Sequence, residues 1–126
     1  MSPKRILIVD DEPDLVETLR FPLEMEGYQV LVAENGEMGL TLARKERPDL
    51  IILDLMLPKL DGYKVCRLLK FDERFKKIPV LMVTAKTQEK DRLLGKETGA
   101  DEYITKPFDI EQLLEKVKAY LGPQSV

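Results

Sequence analysis

Leu50-Ile51-Ile52-Leu53-Asp54 is the stretch from which the fold can be read: four large apolar residues in a row, closed by one acid. A strand with one wet face alternates apolar and polar residues. A run that is apolar at every position is buried on both faces, as in parallel sheets covered by helices. Similar runs stand elsewhere: Ile6-Leu7-Ile8-Val9 before Asp10-Asp11, residues 28–33 before Glu34, and residues 79–83 before Thr84. A shorter one, residues 102–104, leads into Thr105-Lys106-Pro107. Longer amphipathic segments separate the five runs. Strand alternating with helix predicts an α/β fold, a doubly wound parallel sheet with right-handed crossovers.

The intervening segments read as five helices. The first starts near Pro13, since proline suits a first helical turn, and carries Leu15, Val16, Leu19 and Leu23 at helical spacing. Gly27 stops it. Pro22 lies inside it, where a lost donor costs about 3 kcal/mol in an ideal interior, so a kink or an early end is expected. The second helix follows Asn35-Gly36 and runs to about Glu46, with Leu40 and Ala43 inward. The third turns Val65, Leu68 and Leu69 inward, with Cys66 as a partly buried small residue. A polar helix over about 87–98 has little apolar content beyond Leu93 and Leu94 and stops near Gly99. The last begins at Asp109, which can cap it, and buries a stripe of Ile110, Leu113, Leu114, Val117 and Leu121. The charges of 44–47 and 70–77 read as solvated helix ends.

Composition narrows the function. The chain has 126 residues, enough for one core, and a formal charge of −3 with both signs interspersed. A surface built to bind nucleic acid directly would cluster its basic residues. No apolar run is long enough to span a bilayer, and the N-terminus lacks the apolar region and cleavage site of a signal peptide. The absence of histidine removes imidazole metal sites and the usual general base. The single cysteine allows no internal disulfide. A cytoplasmic location fits these features. The domain is expected to span residues 1–122, with 123–126 as a tail or the start of a linker.

In an open parallel sheet, ligands bind beyond the carboxyl ends of the strands. Asp10-Asp11, Asp54, Thr84 and Lys106 all fall at such ends. Carboxylates crowded into one crevice repel each other. A hard divalent cation relieves that, and oxygen ligands with open water positions suit Mg²⁺. Lys106 adds a point charge and Thr84 a hydroxyl, together able to hold phosphoryl oxygens. Phosphoryl transfer needs mainly this positioning and charge neutralisation, and a carboxylate is a competent acceptor. Asp54, alone at the end of the most apolar strand, is the candidate nucleophile by position. The Asp10-Asp11 pair better suits cation binding.

At these residues the chain resembles the receiver domains of bacterial two-component response regulators. The matching pieces are Val9-Asp10-Asp11-Glu12, Leu53-Asp54-Leu55-Met56-Leu57-Pro58 with Asp61-Gly62, Val83-Thr84-Ala85 and Thr105-Lys106-Pro107-Phe108. They stand in the family's order and spacing across nearly the whole chain. The resemblance implies a flavodoxin-like five-stranded sheet of order 2-1-3-4-5 with five flanking helices. It implies that Asp54 takes a phosphoryl group from the phosphohistidine of a histidine kinase. It further implies Mg²⁺ among Asp10, Asp11, Asp54 and the Met56 carbonyl, with Thr84 and Lys106 on the phosphoryl oxygens and a cis peptide before Pro107. Thr84 and Tyr103 would form the conformational switch. The kinase would dock on Leu15, Pro58, Pro107 and Phe108. The helix over 87–98, the fifth strand and the last helix would form the output face, which could dimerise on phosphorylation. Met56 beside the acceptor would shield a phosphoaspartate from water.

Three other readings fit less of the sequence. A haloacid-dehalogenase-type phosphatase usually carries a second acid two residues after the nucleophile, where this chain has Met56. A receiver-like adaptor that is never phosphorylated would typically lose members of the Asp-Thr-Lys set. A flavin carrier would need a phosphate-binding loop after the first strand, where Asp10-Asp11-Glu12 would repel phosphate.

Overall fold

Five strands form one parallel sheet in the order β2-β1-β3-β4-β5. They are β1 (Arg5–Val9), β2 (Gln29–Ala33), β3 (Leu50–Asp54), β4 (Val80–Thr84) and β5 (Glu102–Thr105). The structure, a computed structural model, describes residues 3–55, 61–84 and 99–122. Among these residues there are four helices: α1 (Pro13–Met25), α2 (Gly36–Glu46), α3 (Gly62–Lys70) and α4 (Ile110–Leu121). The helix expected over 87–98 lies outside the described residues.

Alternation along the central strands sorts the core into two layers. Ile6, Ile8, Leu50, Ile52, Leu81 and Val83 pack with Val16, Leu19 and Leu23 of α1 and Leu113 and Val117 of α4. Leu7, Val9, Ile51, Leu53, Val80 and Met82 face the other way, onto Leu40 and Ala43 of α2 and Val65, Cys66 and Leu69 of α3. All five residues of β3 are buried, because the strand lies mid-sheet with helices on both faces. Its unbroken apolar run is the sequence form of that position.

Local chemistry sets the helix starts. The Asn35 side chain accepts the Met38 amide, Asp61 accepts the Lys64 amide, and Asp109 accepts the Glu111 amide. Each satisfies an amide that the first helical turn leaves without a backbone partner. Pro13 opens α1 as expected.

Three expectations are corrected. The helix does not end at Pro22: α1 continues to Met25, one turn further, where the fully buried Leu23 pins it to the sheet. Leu68 does not face inward. It is 42% exposed, and Cys66, expected to be partly buried, fills the interior position completely. Lys70 is not a solvated helix end. Its side chain is 10% exposed, and Nζ lies 2.7 Å from the Lys76 carbonyl, 3.0 Å from the Ile78 carbonyl and 2.8 Å from Asp101 Oδ2.

Candidate functional site

The register of β1 against β3 assembles the acids. Val9 lies opposite Leu53, so the next residue of each strand, Asp10 and Asp54, ends up side by side at the carboxyl edge. Both are buried to 4% exposure, the only buried polar residues among those described. The Asp10 amide is held by the Ala33 carbonyl at 3.0 Å. Asp10 Oδ1 accepts the Glu12 amide at 2.9 Å. This two-residue turn folds the acidic run back on itself, as aspartate side chains do at turns.

The fold thereby gathers four carboxylates. One oxygen each from Asp10, Asp11, Glu12 and Asp54 lies within 4.8 Å of every other. Asp11 and Glu12 are exposed while Asp10 and Asp54 are buried, so the cluster opens to solvent on one side. Lys106 reaches it from the end of β5. Its Nζ is 3.5 Å from Asp54 Oδ2, 3.7 Å from Asp10 Oδ2 and 3.4 Å from Glu12 Oε1. The peptide bond from Lys106 to Pro107 is cis.

Among the described residues, one cation against four acids leaves a surplus of negative charge. Burial pushes the Asp10 carboxyl up from 3.8 to about 6, and the neighbouring Asp54 and Glu12 charges add to that push. The Glu12 amide and Lys106 oppose it without cancelling it. Lys106 responds in the complementary way. Burial alone would lower its pKa, but the charges of Asp54, Asp10 and Glu12 outweigh burial and raise it. The ammonium is therefore fixed in its charged form. A cleft of carboxylates in net repulsion, open on one side, is a donor set that fits a hard divalent cation.

Each residue singled out in the sequence has a place or falls outside the description. Asp10, Asp11, Asp54 and Lys106 converge. Thr84 closes β4, its backbone in register with Thr105, and its side chain lies outside the described residues. So do Met56 and Pro58. Tyr103 sits on β5 opposite Met82 and packs, half-buried, against the layer under α2 and α3. Leu15 and Phe108 are half-buried against the opposite layer, and Pro107 is exposed. Two contributors were not assigned from sequence. Glu12 joins the cluster through the Asp10 turn; the signal was present as a third consecutive acid. Gly62 starts α3 so close to β3 that an added Cβ would overlap the Asp54 carbonyl oxygen and press on Leu55 Cα. Its amide donates to the Leu55 carbonyl at 3.1 Å.

Comparison with known proteins agrees with this geometry. The model of the response regulator receiver domain matches residues 6–118. The chain is 52% identical over 117 residues to the DNA-binding dual master transcriptional regulator RpaA of Synechocystis, covering 93% of this chain and 48% of that protein. It is 48% identical over 118 residues to Protein PilH of Pseudomonas aeruginosa, covering 94% of this chain and 98% of that one. It thus spans about half the length of the first relative and nearly all of the second. Among solved structures, the receiver domain of sensor histidine kinase PA1611 from Pseudomonas aeruginosa superposes with a TM-score of 0.87 at 29% identity. That match covers 95% of this chain and 98% of the other, which holds a magnesium ion coordinated in its active site cleft.

Proposed function

This chain belongs to the response regulator receiver domains, and from that membership we propose how its acidic cleft works. Receiver domains are phosphoacceptors of two-component signalling whose partner is a histidine kinase, and they are not a classical enzyme family. No helix among the described residues is long and apolar enough to cross a membrane. The finer reading is that Asp54 is the acceptor. A carboxylate oxygen of Asp54 attacks the phosphorus of a phosphohistidine, the phosphorus–nitrogen bond breaks, and the imidazole leaves with a proton. The chain then catalyses only its own phosphorylation and dephosphorylation.

The observation that carries this reading is the placement of buried Asp54 with Lys106 Nζ at 3.5 Å and three further acids within reach. Lys106, kept charged, neutralises oxygens of the incoming phosphoryl group. Asp10, Asp11 and Asp54, with the Met56 carbonyl, would hold Mg²⁺, and Glu12 lies in the same carboxylate cluster. The metal supplies the charge neutralisation that lets a phosphoryl group approach a carboxylate. The Thr84 hydroxyl holds a third phosphoryl oxygen. Its movement towards the phosphoryl group is coupled to Tyr103, which lies half-buried on the edge strand. Leu15 and Phe108, with Pro107 and Pro58, form the kinase contact. The domain is taken as 1–122, with 123–126 as tail or linker, in the cytoplasm.

Intact-mass spectrometry after incubation with a small acyl phosphate tests this, with and without Mg²⁺. One added phosphoryl group that requires both Mg²⁺ and Asp54, and is absent in Asp54→Ala, is the expected result. No adduct in folded, metal-bound protein would favour an adaptor that works without phosphorylation.

A further inference from the structure

A second charged surface lies away from the acidic cleft, along the outer side of α3. Arg44 at the end of α2, Lys64, Arg67 and Leu68 on α3, and Phe71 and Arg74 just beyond it line a groove of about 850 Å³. Lys64, Arg67 or Leu68, and Phe71 recur at the spacing of one helical face. Phe71 is 67% exposed and Leu68 42%. Large apolar side chains left open beside one another mark contact surfaces more than isolated ones do.

The charges here do not cancel. Asp72 also lines the groove but is held by Arg74 at 2.9 Å, and Glu73 is held by Lys76 at 2.7 Å. Arg44, Lys64 and Arg67 form no ion pair with any described carboxylate. The Arg67 guanidinium instead stacks over the Phe71 ring at 5.7 Å, which stiffens both side chains and leaves the guanidinium edge for an incoming acid. The molecule as a whole carries −3, so this basic strip stands out against an acidic background.

We propose that the groove between α2 and α3 docks an acidic protein segment with apolar anchors, separate from the kinase contact and from phosphoryl transfer. Leu68 and Phe71 receive the anchors while Arg44, Lys64 and Arg67 pair with the segment's carboxylates. A polynucleotide is the weaker match. Three unpaired cations give a small electrostatic footprint, the chain's net charge repels a long polyanion, and apolar anchors have little to meet on a phosphate backbone. An acidic, leucine- or tryptophan-bearing peptide meets both halves of the groove.

The test uses the full ¹⁵N-labelled chain and a twelve-residue peptide of glutamates and aspartates carrying one Leu and one Trp. Controls are the same anchors on a lysine backbone and the same acids with alanine anchors. The expected result is saturable binding of the first peptide alone, with amide shifts confined to residues of α2, α3 and 71–74. Arg67→Glu and Phe71→Ala, each at an exposed position, weaken that binding by at least about tenfold while phosphoryl loading from an acyl phosphate is unchanged. Four outcomes overturn the proposal. One is failure of the peptide to bind, and another is binding without regard to Arg67 and Phe71. Tighter binding of a single-stranded oligonucleotide, with the same dependence on Arg67, would give the groove to nucleic acid. Self-association that Arg67→Glu abolishes would give it to a second copy of the chain.

Discussion

Asp10 bears its charge against its surroundings, because burial and two neighbouring acids favour its protonated form. A carboxyl whose folded pKa lies above its unfolded value stabilises the fold only while protonated. That contribution is complete below about pH 3.8 and is lost as the pH rises through about 6. Asp10→Asn should therefore stabilise the metal-free protein at neutral pH by about 1–3 kcal/mol and leave it little changed at pH 3.5. Urea unfolding at the two pH values checks this, and an equal gain at both would sink it. The same carboxyl must lose its proton to bind a cation, so Mg²⁺ affinity should fall about tenfold for each pH unit below 6. Gly62 acts at this scale too, by having no side chain. In Gly62→Ala the new Cβ meets the backbone of Asp54 and Leu55, which cannot swing aside as a flexible side chain would. The acceptor strand must shift, with an expected cost of about 1–3 kcal/mol. Phosphoryl loading should slow by about tenfold or more, since small displacements of a reacting group are costly. Stopped-time mass spectrometry measures it; an unchanged rate would show that Asp54 does not depend on this contact.

Between residues and molecule stand the elements, and here the end of the third helix, beyond its apolar packing, is tied to the sheet by one polar side chain. Lys70 ends α3, and its ammonium joins the carbonyls of Lys76 and Ile78 to Asp101, just before β5. Asp101 Oδ2 also accepts the Val80 amide at 2.8 Å, at the start of β4. One ion pair thus pins the end of α3 and the starts of β4 and β5. Exposed ion pairs contribute little, but the Lys70 side chain is 10% exposed, and its loss takes the donor from two carbonyls while Asp101 keeps the Val80 amide. Lys70→Met should cost about 1.5–3 kcal/mol. Asp101→Asn, which keeps an acceptor for the Val80 amide, should cost less. Chemical denaturation of both variants beside exposed Lys45→Met gives the comparison, and equal losses for the two lysine variants would discard the clamp. None of this was legible in the sequence, where Lys70 is one charge among several; its ion-pair partner comes from 31 residues away. The early helix end expected at Pro22 failed for a related reason. Its helix-breaking tendency is local, and the burial of Leu19 and Leu23 on either side outweighs it.

At the scale of the whole molecule, most of what the sequence could tell came from burial. Strands apolar on both faces announced a parallel sheet, and the acids that ended them announced its functional edge. Strand pairing was not written in any one run. The convergence of Asp10 with Asp54 depends on β1 lying beside β3, 44 residues apart in register, and the strand order that makes them neighbours reached the sequence reading only through family resemblance. Leu68 and Phe71 were invisible as surface features because their spacing equals that of a core stripe. The resulting molecule has a well-packed two-layered core below and a repulsive acidic edge above, so its stability should depend on what occupies that edge. A ligand at a hundredfold excess over its Kd adds about 2.7 kcal/mol, which in a chain of this size raises the melting temperature by roughly 8–12 °C. Calorimetry at pH 7.5 should show such a rise when Mg²⁺ replaces a chelator. The variant carrying both Asp10→Asn and Asp54→Asn should start higher without metal, having lost the repulsion, and gain almost nothing from Mg²⁺. A magnesium shift that survives in this double variant would place the ion elsewhere on the molecule and detach the acidic edge from metal binding.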